Sequence, residues 1–279
     1  MANVIKIKKG LDINLKGKAS DVLLNGGKSD SYAIVPDYYN GIVPKVVAKV
    51  GEKVKAGSVL MIDKNRPEIK FVSPVSGEVT AVNRGEKRKV LSVVVKPEAQ
   101  IEYEDFGKKN VASLKREEVK EAILHAGMWP FIKQRPYDIV ASPAEEPRDI
   151  FVSAIYSAPL APNLDFVVKG QEVDFQTGLD ALAKLTDGKV YVGIRKGSSV
   201  SVKGVETVEV EGPHPAANVG VQINHIKPIN KGEVVWTVNP ADVIVIGRLF
   251  NKGIADFSRL VVIAGSETAE SGKVTAIAG

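Results

Sequence analysis

Cysteine is absent from this 279-residue chain. Its absence excludes disulfides, thiolate zinc sites, cysteine nucleophiles and cysteine-ligated iron–sulfur clusters. Histidine is scarce: His125, His214 and His225 are the three, too few for a histidine-rich metal site. Long apolar runs are also missing. The longest candidates, Val243–Ile246 and Leu260–Ala264, have the size of a strand or a short helix, well below a bilayer span. The opening M-A-N-V-I-K-I-K-K-G holds no apolar core of signal-peptide length. The expectation is a cytoplasmic chain that meets a membrane only peripherally or through partners. Neither G-x-G-x-x-G nor G-x-x-x-x-G-K-[ST] occurs, so the backbone cradles for dinucleotide or phosphate are not encoded in their usual form. The nearest glycine-bearing loop, Gly193-Ile194-Arg195-Lys196-Gly197-Ser198-Ser199, reads as a surface turn. No aromatic residue interleaves with Arg84, Lys87, Arg88 and Lys89, which argues against a stacking surface for nucleic acid.

What is present is charge asymmetry and a glycine-spaced β pattern. Residues 1–100 carry 18 lysines and arginines against 10 acids, whereas the remainder carries 20 against 23. A basic module joined to a slightly acidic one suits an acidic partner or an anionic surface. The basic run Arg84-Gly85-Glu86-Lys87-Arg88-Lys89 is the candidate partner-contact surface, through Arg84, Lys87 and Arg88. The segment Val46–Leu60 contains A-x-x-G-x-x-V-x-x-G-x-x-L from Ala48, followed by S-P-V-S-G-E-V at residues 73–79. Gly51 and Gly57 suit tight turns because glycine reaches positive φ without a steric penalty. This is the pattern of a barrel-sandwich hybrid, the small β fold of biotinyl and lipoyl carriers.

Short valine- and isoleucine-rich strands are expected at Val4–Ile7, Ala33–Val35, Val43–Val47, Leu60–Ile62, Val79–Val82 and Leu91–Val95. An α/β region follows. Ser113 is positioned to cap a helix with Glu117 and Glu118 in its first turn. Its apolar face is Val119, Ala122, Ile123 and Ala126, with Gly127 at the C′ position. A second helix covers about 173–186, and a third begins at Pro240 after Asn239. Strands are expected at Asp149–Ala154, Val190–Ile194 and Val205–Val210. Alternating strands and helices indicate a parallel or mixed, Rossmann-like sheet. Leu260–Ile263 reads as one more strand, and the residues after it are too few for a domain.

Two loops invite chemistry. Lys64 follows Asp63 where a carrier fold presents its modified lysine, but Asn65-Arg66-Pro67 follows, and proline stiffens both itself and its predecessor. An acyl or carboxyl carrier using Lys64 or Lys70 is therefore the alternative of a different class. In Gly212-Pro213-His214-Pro215 the flanking prolines fix the backbone around His214. That histidine could act as acid, base or hydrogen-bond donor, against a plainer reading as a rigid connection into a helix starting at Pro215. No carboxylate partner for it can be placed from the sequence.

Taken in order, I-K-I-K-K-G-L-D, D-K-N-R-P-E-I-K-F-V-S-P-V-S-G, V-N-R-G-E-K-R, A-P-L-A-P, T-D-G-K-V-Y-V and G-P-H-P-A resemble the NqrA family, one of the subunit families of the bacterial Na+-translocating NADH:quinone oxidoreductase. The resemblance implies an α+β multidomain chain. Residues 1–100 would form a biotinyl/lipoyl-like barrel-sandwich hybrid, 101–113 a linker, 114–255 a Rossmann-like α/β domain and 256–279 the beginning of a β-grasp, soluble-ligand-binding domain. It further implies a peripheral subunit on the cytoplasmic face of the inner membrane. The complex as a whole uses NADH, flavins and iron–sulfur clusters, whereas this subunit would bind no flavin, cluster or metal and hold no catalytic residue of its own. The implied partners are the other subunits of the complex. Quinone is the ligand the resemblance adds, and it is assigned to no residue. A stand-alone nucleotide-binding oxidoreductase is the third reading. It requires NADH or FMN to raise the melting temperature of the chain, and no such rise is expected.

Overall fold

The computed structural model describes residues 3–15, 20–24, 26–265, 267–268 and 272–277. Two strands open the chain, β1 (Asn3–Lys6) and β2 (Leu23–Leu24). Neither joins the β module expected over 1–100. β1 pairs in parallel with β14 (Glu206–Glu211) at the edge of the α/β sheet. β2 pairs with β17 (Gly272–Ile277), beside β16 (Ser258–Ile263). An isolated two- or four-residue strand has little to bury, so the partner that completes a sheet decides where it goes.

The β module itself runs from β3 (Tyr32–Ile34) to β9 (Val90–Pro97). Between them lie β4 (Pro44–Val46), β5 (Lys53–Val54), β6 (Val59–Asp63), β7 (Lys70–Val72) and β8 (Gly77–Arg84). They form one sheet ordered β3-β9-β8-β5 and another ordered β4-β6-β7. Alternation sets the inner faces: along β9, Val93 and Val95 are fully buried while Val94 is half-buried and Lys96 is exposed. Gly51 and Gly57 adopt φ of 86° and 104°, the turn conformations their spacing predicts.

The second half contains α1 (Arg116–His125), β10 (Lys133–Arg135), β11 (Ile139–Val140), β12 (Ile150–Ala154), α2 (Leu164–Val168), α3 (Glu172–Lys184), β13 (Val190–Arg195), β14, α4 (Val219–Ile226), β15 (Val235–Thr237) and α5 (Pro240–Lys252). One seven-stranded sheet takes the order β1-β14-β13-β12-β15-β10-β11. Its first five strands are parallel, and β10 and β11 are antiparallel. Asn239 caps α5 by accepting from the Ala241 N–H at 3.0 Å, with Pro240 at N1, as predicted. The cap of α1 differs from expectation. Glu118 reaches back to the Lys115 N–H at 2.8 Å, while Ser113 Oγ donates to the Asn110 carbonyl in the preceding turn. The predicted helix at Pro215 begins later, at Val219, because residues 213–217 form a turn that its own hydrogen bonds hold in place.

Helices α3 and α5 cross at close range. A methyl group on Gly178 would lie 2.0 Å from the Val243 carbonyl oxygen, and one on Gly247 would lie 1.7 Å from that of Asp174. The close approach lets α5 sit buried through Val243–Phe250 against the sheet.

The residues read as a linker, 101–113, are fastened along their length. Ala56 N–H donates to Glu102 O and Glu104 N–H to Ala56 O, after which Phe106 N–H reaches Gly253 O and Lys109 N–H reaches Phe250 O. The core runs continuously from the β module into the α/β sheet. Of the region expected to begin a third domain, residues 266, 269–271 and 278–279 lie outside the described residues.

Candidate functional site

A parallel sheet has a switch point where successive connections leave in opposite directions, and ligands of open α/β sheets bind there, beyond the carboxyl ends of the strands. Here the chain runs from β12 to β13 to β14, then returns through α4 to place β15 on the other side of β12. A cleft of about 850 Å³ opens at that point, a volume in the range of small-molecule sites, roughly 300–1,000 Å³. Its floor is Ser153 near the end of β12 with Ile155–Ala158 after it, Thr237 at the end of β15 with Val238 and Asn239 after it, and the first turns of α4 and α5. The β module supplies the opposite wall with Ile34, Tyr38, Tyr39, Phe71 and Val72. Phe131, Lys133, Phe257 and Arg259 close the remaining side.

The lining is aromatic, with a few converging polar groups. Tyr39 meets Phe71 edge-on at 4.8 Å between ring centres, and Lys133 Nζ sits 5.1 Å from the Tyr39 ring. Arg259 lies over the Phe131 ring at 5.6 Å. Burial, reinforced by the Asp242 charge, pushes the Tyr39 phenol up to about 12. Burial likewise raises the phenol of Tyr156, again with help from Asp242, and lowers the Lys133 ammonium despite Asp138 and Asp242. Asp242 itself, at the start of α5, is nine-tenths buried. Burial moves its carboxyl upward, against the pull of Arg259 and Lys133. Arg259 Nη2 lies 3.1 Å from Asp242 Oδ1.

His214, flagged from the sequence, lines this cleft. Its Nδ1 shares a 3.0 Å hydrogen bond with Ser157 Oγ, which also accepts from the Ala217 N–H. Asp12 accepts from the backbone N–H of His214 at 2.7 Å, and the His214 carbonyl accepts from Leu11 N–H. The carboxylate therefore fixes the loop and leaves the imidazole alone. Among the described residues no carboxylate hydrogen-bonds to the ring, so the Ser157–His214 pair lacks the third member that orients a nucleophile's base. Gln222 clamps the same loop by donating to Ser153 Oγ and the Ala216 carbonyl. This corrects the reading of Gly193 as part of a surface turn. It lies within β13, where a methyl group would sit 2.2 Å from Gln222 Oε1.

The other flagged groups lie elsewhere. Arg84, Lys87 and Arg88 are exposed on the β8–β9 turn and contribute nothing to the cleft. Lys87 and Arg88 have φ of 52° and 62°, and Arg84 Nη1 donates to the Arg88 carbonyl. Lys64 is exposed, but its backbone is held in place. Its N–H donates to Val43 O at 2.7 Å, and buried Asp63 accepts from Val43 N–H, Asn65 N–H and Arg66 Nε. Arg66 carries that clamp onward to the Gly41 and Val140 carbonyls. A carrier lysine needs a free hairpin tip, and this one is tied to the α/β half.

Sequence reasoning missed Tyr39, Lys133, Tyr156, Asp242 and Arg259. An acid in the first turn of a helix, as Asp242 is, ordinarily signals a dipole interaction. Only its burial beside Arg259 sets it apart. The described residues contain no group of three or more histidine or carboxylate side chains arranged for a metal, and no helix among them is long and apolar enough to cross a membrane.

The fold and cleft define a class: a barrel-sandwich hybrid fused to an α/β domain with a cleft between them. Residues 5–98 match the family model described as the NqrA N-terminal barrel-sandwich hybrid domain, and residues 114–255 match the NqrA second alpha/beta domain. The chain belongs to the NqrA family, whose members are named as subunits of the Na+-translocating NADH-quinone reductase. It is 38% identical over 269 residues to the NqrA subunit from Neisseria meningitidis serogroup A, 38% over 267 residues to that from Hahella chejuensis and 35% over 269 residues to that from Photorhabdus laumondii. These alignments cover 94–95% of this chain and 60% of each relative, so the chain spans about three fifths of their length.

Proposed function

We propose that the chain forms the amino-terminal part of a peripheral subunit of a Na+-pumping NADH:quinone oxidoreductase, on the cytoplasmic face of the bacterial inner membrane. It serves assembly of the complex and contributes to quinone reduction without binding flavin or an iron–sulfur cluster. Its α/β half is Rossmann-like, and the β16–β17–β2 sheet begins a β-grasp domain. The observation that carries the reading is the cleft. A flat ring with oxygens at its edge suits aromatic walls such as Tyr39, Phe71 and Phe131 with a few polar groups between them, and the relatives are named as quinone reductase subunits. Calorimetric titration of the chain with a water-soluble short-chain quinone tests this. Saturable binding that weakens about tenfold in Phe71→Ala is expected, as befits a lost stacking wall. Absence of binding, or equal binding by the variant, would remove the cleft from the proposal.

Assembly is assigned to the basic turn, because charge complementarity orients partners. Replacing Arg84, Lys87 and Arg88 together by glutamate is expected to reduce recovery of the membrane subunits in a pull-down by the full-length protein. Recovery equal to wild type would sink that assignment.

A further inference from the structure

Five buried side-chain polar atoms among the described residues lack a hydrogen-bond partner: Arg135 Nε, Glu211 Oε1, Trp236 Nε1, Asp242 Oδ1 and Arg259 Nε. The three from Arg135, Asp242 and Arg259 belong to residues that line the cleft. Buried polar atoms are nearly always bonded, and each exception asks for a missing partner. Asp242 and Arg259 are the instructive pair. Arg259 Nη2 and Asp242 Oδ1 are ion-paired at 3.1 Å, yet Oδ1 and Arg259 Nε each lack a hydrogen-bond partner, which leaves the carboxyl an acceptor and the guanidinium a donor. A ligand that completes both must donate one hydrogen bond and accept another.

A quinone only accepts. Two electrons and two protons convert its carbonyls to hydroxyls, which donate as well as accept. We infer that the cleft favours the hydroquinone over the quinone, with Asp242 accepting a hydrogen bond from a ring hydroxyl and Arg259 Nε donating to a ring oxygen. This inference rests on the reading of the cleft as a ring site. Sites built around a hydroxyl reject the analogue that lacks it, because their own polar group is then left unpaired. One charge-assisted bond corresponds to a preference of about tenfold, which raises the two-electron potential of the bound ring by about 30 mV. The preference depends on an ionised carboxyl. The groups facing Asp242 are Arg259 from β16, Lys133 from β10, and the phenols of Tyr39 and Tyr156. Its protonation converts the acceptor to a donor and turns the preference toward the quinone.

The test is anaerobic calorimetry of the full chain with a short-chain benzoquinone and its hydroquinone, across a pH series. Wild type is expected to bind the hydroquinone about tenfold tighter at high pH, with the ratio falling on acidification. Asp242→Asn supplies both donor and acceptor and is expected to bring the ratio near one. Arg259→Lys keeps the charge but loses Nε, and should weaken both forms alike. Equal wild-type affinities at every pH would overturn the inference while leaving the ring site standing. Failure of both forms to bind would overturn the ring site itself. A preference that survives in Asp242→Asn would overturn the role of Asp242, and the wild-type pH series decides the matter should either variant fold poorly.

Discussion

Two turns of the β module share a composition and differ in fate. The β6–β7 turn holds Lys64, Arg66 and Glu68, and the β8–β9 turn holds Glu86, Lys87, Arg88 and Lys89. The first is stitched into the seam between the two halves of the chain. Fully buried Asp63 and Ile69 anchor it, and Arg66 reaches the Val140 carbonyl from the other half at 3.1 Å. The second stands in solvent, where Lys89 pairs with Asp37, both more than half exposed. Charge in a turn is thus not a function in itself. Where a carboxylate is buried beneath the turn, charge fastens domains together. Where none is, charge stays in solvent.

The sharpest way to break the comparison is to remove the buried acid. Asp63→Ala leaves the half-buried Arg66 and the N–H groups of Val43 and Asn65 without their acceptor, and a loss of about 3 kcal/mol in urea unfolding is expected. A loss near zero would show that the seam does not depend on the clamp. Next comes Gly127→Ala. Gly127 has φ of 68°, and a methyl group there would lie 2.5 Å from Val72 of β7. Strain and overpacking across the seam should together cost about 2 kcal/mol. Arg66→Lys keeps the charge but loses the fork that serves Asp63 and two carbonyls at once, for an expected loss of about 1 kcal/mol. The smallest effect sharpens the contrast. Glutamate at Arg84, Lys87 and Arg88 should leave the unfolding free energy within about 0.5 kcal/mol of wild type. A larger fall in a thermal melt would mean that the outer turn is structural as well.

Legibility in the sequence followed how local the cause was. Gly51 and Gly57 were readable because positive φ is a property of the residue itself. The start of α5 was readable because Asn239-Pro240 carries its cap within three residues. β1 was legible as a strand and misplaced as to sheet, since its partner β14 lies about two hundred residues away. The same distance hid what His214 does: Asp12 holds its backbone across 202 positions, and no spacing rule reaches that far. Asp242 and Arg259 passed unnoticed for a related reason. Each is ordinary in its own element, and only burial of the two together makes an unpaired acceptor and donor in a cleft.

By itself the sequence determined many of the elements, a β module followed by an α/β region, and the family, because apolar period, turn chemistry and caps act over a few residues. It also determined that no thiolate chemistry is available. Tertiary structure alone decided which turn became a seam and which stayed free, where the first two strands pair, and that aromatic rings from one half face buried polar groups from the other. Those outcomes depend on desolvation and long-range pairing, and neither exists until the chain has folded.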